Sequence, residues 1–437
     1  MSDWTFAELE EWDEKVCKIA KSYGLDWYPV VYEICDYYSM IGHMSYHGMP
    51  SHYHHWSFGK SFERTHQQYN SGATGLPYEL IINTDPSIAY LMKENPLYLQ
   101  ILIMAHCLGH SDFFKNNSTF SHTKPRSVIP RMRAAKKRIQ SYIEDPSIGI
   151  EKVEKILDAA HTISLNVDRF CRERRLHKDM KKDLISKVKS GGEFQDLDVN
   201  KIPIKPDYDL LGFISEHGHH LDEWERDLIN IVREEAIYFM PQMRTKIMNE
   251  GWASFWHYKI MNELDLPSSL HIPFLKSHNQ VVRSHGDSVN PYHMGFYIFN
   301  RIFEEEGLEA CFFARENYHD ESAIREFIDE KACNDLGLFT YSLKKGVRRD
   351  VYSVDEVADA DGWKIIRDDL IKSSGINSMP RIYVDNASTK GELTLKHEHD
   401  GRDLELDYAD EVVKHISTLW EGSVKLFTII EEEDFEI

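Results

Sequence analysis

The chain has 437 residues, 42% hydrophobic and 12% aromatic, enough for a large core and for two or three domains. With 51 basic and 72 acidic residues its net charge is −21, which argues against a general nucleic-acid binder. Six scattered cysteines without a C-x-x-C fit reduced thiols. The acidic amphipathic N-terminus is not expected to be a signal peptide, and no apolar run approaches transmembrane length. A cytoplasmic protein without membrane insertion is expected.

Thr5 and Glu8 form a T-x-x-E capping box that opens an amphipathic helix ending near Gly24. Pro29 suits a first helical position, so a second helix is expected from there to Gly48. Residues 48–65, GMPSHYHHWSFGKSFERT, read as a loop running into a helix. YELIINTDP (78–86) has strand character around Leu80–Ile82 and a turn at Asp85-Pro86. NPLYLQILIMAHCLGHSDFFKNN (95–117) is the most apolar helix. Asn95 suits its cap, Pro96 its first position and Asn116-Asn117 its end. Being hydrophobic nearly all round, it is expected to be buried.

From Lys124 to Lys189 the chain is helical and basic, with 18 Lys/Arg against 9 Asp/Glu, a local +9 that leaves −30 for the rest. That stretch reads as a solvated helical surface or as a docking face for an acidic partner. A surface loop is expected over 190–209, and helices resume from Leu210 to about residue 345. Beyond 350, PRIYVDN and TKGELTLKHEHDGRDLELDYA alternate apolar and polar residues. Asp400-Gly401 there suggests a hairpin turn, and VKLFTIIEE one more strand. The expected fold is mainly α-helical, with a zincin-like core domain over 1–349 that includes the basic segment 124–189. A small α+β domain is expected over 350–437.

His106 and His110 lie four apart on the apolar helix, which puts both imidazoles on one face, one turn apart. So buried a polar pair must be satisfied by a metal or by hydrogen-bonded carboxylates. The chain has 23 histidines, and His43 with His47 shows that the spacing also arises by chance. HCLGH (106–110) and NEGWA (249–253) resemble the two elements of gluzincin-type zinc peptidases, whose HExxH helix gives two histidines and whose second helix gives a glutamate. The resemblance implies His106, His110 and Glu250 as ligands of Zn2+ or another divalent metal. His257, two turns beyond Glu250, is expected as a fourth ligand or as a partner of one. Gly251 would let the chain pack closely behind the carboxylate. Cys107 stands where those enzymes carry their general base. Glu79, Glu234 and Glu235 are the candidate replacements.

HWSFGKSFE (55–63), YELIINTDPSIAYLMKEN (78–95), MAHCLGHSDFFKNN (104–117), VREEAIYFMPQMRTKIMNEGWASFWHYKIM (232–261) and NPYHMGFYIF (290–299) resemble, in order, the blocks of the SpoVR family, stage V sporulation protein R. That family is linked to spore cortex formation, and its members also occur in bacteria that make no spores. They are typically encoded near a PrkA-type serine protein kinase and a YeaH/YhbH-type protein, the partners the resemblance implies. His106, His110, Glu250 and His257 fall inside the blocks, as do His55 and Lys60, which are expected to line a pocket. His278, Arg283 and Asn290 are further pocket candidates, and Tyr292 is a candidate oxyanion donor.

The leading expectation is a zincin-like metal site acting on amide bonds. It would hydrolyse a peptide or peptidoglycan-related amide, or transfer or form one, since the water-activating glutamate is missing. The competing expectation is a non-catalytic regulatory or scaffold protein.

Overall fold

Thr5 accepts the Glu8 N–H at 3.3 Å and Glu8 accepts the Thr5 N–H at 2.8 Å, so the expected capping box opens helix α1 (Phe6–Ser22). A computed structural model of the chain describes residues 3–71, 79–171, 174–175, 177–189, 201–284, 289–344, 351–388 and 391–437. The expected loop over 190–209 therefore lies largely outside the described residues.

The helix expected from Pro29 does not form. VVYEIC makes strand β1 (Val30–Cys35), and Asp36 then caps the short helix α2 (Tyr37–Ser45) by accepting the Ser39 N–H at 2.8 Å. The β-branched run outweighs the proline because a partner strand is present. After α3 (Trp56–Asn70) come β2 (Glu79–Ile82) and β3 (Ser87–Met92). The sheet order is β1-β3-β2, with β1 parallel and β2 antiparallel to β3. Helix α4 (Leu97–Asn116) follows, buried on nearly every side from Leu99 to Phe114. Its cap is Pro96 rather than Asn95.

Further along lie α5 (Val128–Glu144), α6 (Ile150–Thr162), α7 (His177–Lys189), α8 (Leu210–His217) and α9 (Glu223–Arg244). Next are α10 (Lys246–Glu263), α11 (Ser268–Val281), α12 (Pro291–Glu306), α13 (Leu308–Asn317), α14 (Asp320–Phe327) and α15 (Glu330–Leu336). Strands β4 (Thr340–Lys344) and β5 (Val351–Glu356) pair antiparallel before α16 (Gly362–Ser373). The chain ends with β6 (Ile382–Ala387), β7 (Leu393–His397), α17 (Leu406–Trp420), β8 (Val424–Ile430) and β9 (Glu433–Glu436).

The fold is mainly helical with a small C-terminal sheet. Among the described residues no helix is long and apolar enough to cross a membrane. The hairpin expected at Asp400-Gly401 is absent: β7 ends at His397, and LELDYA opens α17, where Glu405 accepts the Tyr408 N–H at 2.8 Å. β7 instead pairs with β6 before it and, in parallel, with β8 after α17.

The contacts define two units. One comprises residues 1–52, 56–133 and 241–378; the other comprises 53–55, 134–240 and 379–437. Within the first unit α16 packs on α14. At the centre of the first unit, α10 lies between α4 and α12. Burying one large aliphatic side chain contributes about 1.5–3 kcal/mol, and α4 buries Ile101, Ile103 and Leu108 almost completely. In the second unit α6 packs on α17, beside the sheet β6-β7-β8-β9.

Candidate metal centre

Small residues bring three helix backbones together. A Cβ built on Gly109 of α4 would meet the Ala253 Cα of α10 at 2.7 Å, and one on Gly251 of α10 would meet the Gly295 backbone of α12 at 2.4 Å. Only glycine tolerates such approach, which accounts for the second glycine-bearing motif, NEGWA. The result sets the one-turn pair His106 and His110 of α4 against Glu250 of α10.

His106 Nε2 and His110 Nε2 are 3.0 Å apart, and Glu250 Oε2 lies 3.4 Å from the first and 3.3 Å from the second. A tetrahedral ion with bonds of about 2.1 Å holds its ligand atoms about 3.4 Å apart. The three atoms therefore already have the spacing of three corners of such a site. All three residues are buried.

Ring orientation supports the same arrangement. Asn249 Oδ1 can only accept, so His110 donates to it through Nδ1 at 2.8 Å, and when neutral the ring turns a lone pair to Nε2. His106 Nδ1 lies 2.9 Å from His257 Nδ1, and His257 Nε2 lies 2.8 Å from His278 Nδ1. With protons passed outward along this file, His106 also presents a lone pair at Nε2. Glu250 Oε2 is buried and makes no aligned hydrogen bond. Three electron-rich atoms then face one point, where a cation satisfies them all.

Burial opposes the Glu250 charge, but Lys246 and His110 overcome it and hold its carboxyl well below the usual range. Lys246 hydrogen-bonds the other oxygen, Oε1, which leaves Oε2 to the histidines. Burial lowers the His110 pKa, yet Glu250 raises it further and the net shift is upward. His257 is held well below the ordinary histidine range by burial and by neighbouring rings. Both its nitrogens are engaged by other histidines, so it orients His106 rather than facing the three-atom point.

Two side chains complete the rim. Glu79, the first residue of β2, brings Oε1 to 3.9 Å from His106 Nε2, and burial raises its pKa. Tyr292, at the start of α12, lies with its ring face-on to His106, centroids 6.1 Å apart. The Glu250 charge and burial push its phenol well above its usual pKa. Cys107 is fully buried, and burial raises its thiol pKa well above normal, so it is no ready base.

Other sequence candidates lie elsewhere. Lys60 is exposed on α3, over the Trp56 ring at 5.5 Å. His55 and Glu235 belong to the second unit, where His55 lies 3.1 Å from Asp158 Oδ1 and Glu235 accepts from the Tyr53 hydroxyl at 3.3 Å. Glu234 is exposed on α9. Asn290 caps α12 by accepting the Tyr292 N–H at 3.0 Å, and it ties down the Val281 and Arg283 carbonyls; the Arg283 side chain is exposed. His43 stacks on Tyr90 and His47 faces Phe58, so neither joins the cluster. Sequence reasoning passed over Lys246 and Asn249, although the first lies four residues before Glu250 and the second immediately before it.

The chain as a whole matches a defined family. The family model for SpoVR like protein matches residues 3–379, and that for the SpoVR-like C-terminal domain matches residues 380–431. The chain belongs to the SpoVR family. The junction of the two matches falls beside the passage from the first unit to the second at 378/379. A curated relative is 33% identical over 489 aligned residues, covering 100% of this chain and 94% of the relative; it is named Uncharacterized protein YcgB, from Escherichia coli (strain K12). No solved structure matches the chain.

Proposed function

We propose that His106, His110 and Glu250 hold a divalent metal, zinc by donor type, in a zincin-like centre that acts on amide bonds. The observation that carries this reading is the spacing of 3.0, 3.3 and 3.4 Å among three buried donor atoms. When bound, the ion would polarise the amide carbonyl as a Lewis acid.

The protein groups divide the remaining work. Glu79 takes the proton from the attacking water or amine and returns it to the leaving nitrogen. Its raised pKa suits a group that must both accept and release a proton. Tyr292, kept protonated, donates to the developing oxyanion. Lys246 holds Glu250 Oε1, and Asn249 and His257 fix the two imidazoles. Peptide or peptidoglycan-related hydrolysis and amide transfer use the same groups and differ only in the nucleophile.

Metal analysis of the purified full-length protein tests the site. About one zinc per chain is expected, lost in folded His106→Ala and Glu250→Ala variants. A folded, metal-free wild type that takes up no added zinc sinks the reading. Amide chemistry is tested separately by mass spectrometry on a peptide and muropeptide library. The metal-loaded Glu79→Gln variant should leave intact whatever amide the wild type cleaves or exchanges.

A second reading rests on one observation, the 3.0 Å separation of the two Nε2 atoms, which one shared proton would bridge without an ion. The protein would then be a non-catalytic scaffold. Its partners would be those the family resemblance implies, a PrkA-type serine protein kinase and a YeaH/YhbH-type protein. The link to spore cortex formation has the same source.

A further inference from the structure

Helix α10 carries four groups of the centre: Lys246, Asn249, Glu250 and His257. Its glycine contacts fix how close it lies to α4 and α12, and the Trp252 indole, donating to Asp112 Oδ2 at 2.8 Å, anchors its middle. A shift of one residue moves a helix by about 1.5 Å and turns its side chains by about 100°. The Glu250 distances of 3.3 and 3.4 Å tolerate no such slip. The first turn, which leads into Asn249 and Glu250, needs an anchor of its own.

Its own cap does not. Thr245 makes no side-chain capping bond, because its hydroxyl donates to the Pro241 carbonyl at 2.7 Å. The open N–H groups of the first turn find a partner more than seventy residues away. Asp320 Oδ2 accepts the Ile247 N–H at 3.0 Å, and Oδ1 accepts the Met248 N–H at 2.9 Å. Asp320 is 4% exposed. The residue before it, His319, exchanges capping bonds with Ser322, and α14 packs on α16, so the carboxylate is held from behind. Burying a carboxylate is costly where a serine or asparagine at position 245 could cap the helix locally. A cap supplied by another helix ties α10 to the rest of the unit, which a local cap does not.

We infer that Asp320 is a positioning residue: by capping α10 from α14 it sets the axial position of Glu250 and of the three α10 groups that support the ligands. This inference rests on the metal centre proposed above.

Co(II) binding to the full-length, zinc-depleted protein is the test, read by titration and by the visible absorption band that reports ligand geometry. Asp320→Asn keeps one acceptor oxygen and should weaken Co(II) binding at least tenfold and shift the band. Asp320→Ala should do more. Asp36→Ala removes the cap of α2 and serves as a control; it should lower thermal stability while leaving affinity and band unchanged. A folded Asp320→Asn variant with wild-type affinity and band overturns the inference and leaves the metal centre standing. Wild-type protein that binds no Co(II) overturns the metal centre itself. Should the variants not fold, amide exchange in the wild type still decides. Ile247 and Met248 should be protected like the middle of α10, and exchange as fast as at a frayed end refutes the cap.

Discussion

In the proposed centre, Asn249 decides which nitrogen of His110 would face an ion. Its carbonyl oxygen accepts from Nδ1 at 2.8 Å and so leaves the lone pair at Nε2. Removing such a partner typically costs ten- to a hundredfold in metal affinity. Asn249→Ala should therefore weaken zinc binding by about that factor while the protein stays folded, measured by competition with a chelator. Unchanged affinity would mean that His110 needs no orienting partner.

At this scale the sequence was readable where spacing alone carries direction. Four-residue spacing puts His106 and His110 on one face, and the NEG stretch marks Glu250. Partnership was less readable. Lys246 also lies four residues from Glu250, but choosing it over other lysines requires knowing which way the carboxylate points. His55 and Lys60 share one sequence block, yet His55 pairs with Asp158 of α6 in the second unit while Lys60 is exposed on α3. Membership of a block says nothing about the direction of a side chain.

Among the elements, α10 has a close backbone contact on its α12 side. Its Gly251 lies against the backbone of Gly295, with room for no side chain at all. Gly251→Ala must push α10 from α12 or tilt it. Overpacking of this kind costs about 1–3 kcal/mol, and here the tilt also moves Glu250. The variant should show a lower melting temperature together with reduced zinc content. Wild-type values for both would show that the contact yields without effect.

Elements with local signals were legible: the capping box of α1, the apolar run of α4 and the strand β8. β1 was not, because its pairing partner β3 begins more than fifty residues later and a parallel ladder leaves no turn between its strands. The start of α17 was misread for a related reason. L-E-L-D-Y alternates over five residues, while the helical period of the following residues, with Val413, Ile416 and Leu419 on the buried face, needs a longer window.

Across the whole molecule, stability depends on pH through groups whose burial opposes their charge. His319 and Asp320 are adjacent and are pushed in opposite directions. Burial, with Arg244 nearby, lowers His319 to about 4, and burial raises Asp320 to about 7. Between about pH 4 and 6.5 the unfolded histidine binds more protons than the folded one, so its contribution to stability is present above pH 6.5 and is lost as pH falls towards 4. For Asp320 the folded state binds more protons between about pH 4 and 7, so its contribution falls as pH rises. The two slopes oppose each other. His319→Asn removes the first and keeps a residue able to cap α14. Relative to wild type, the variant should therefore lose less stability between pH 7 and pH 4.5, read as the difference in urea midpoints at the two values. A difference that stays constant across that range would mean that His319 titrates in the folded protein as it does in the unfolded chain.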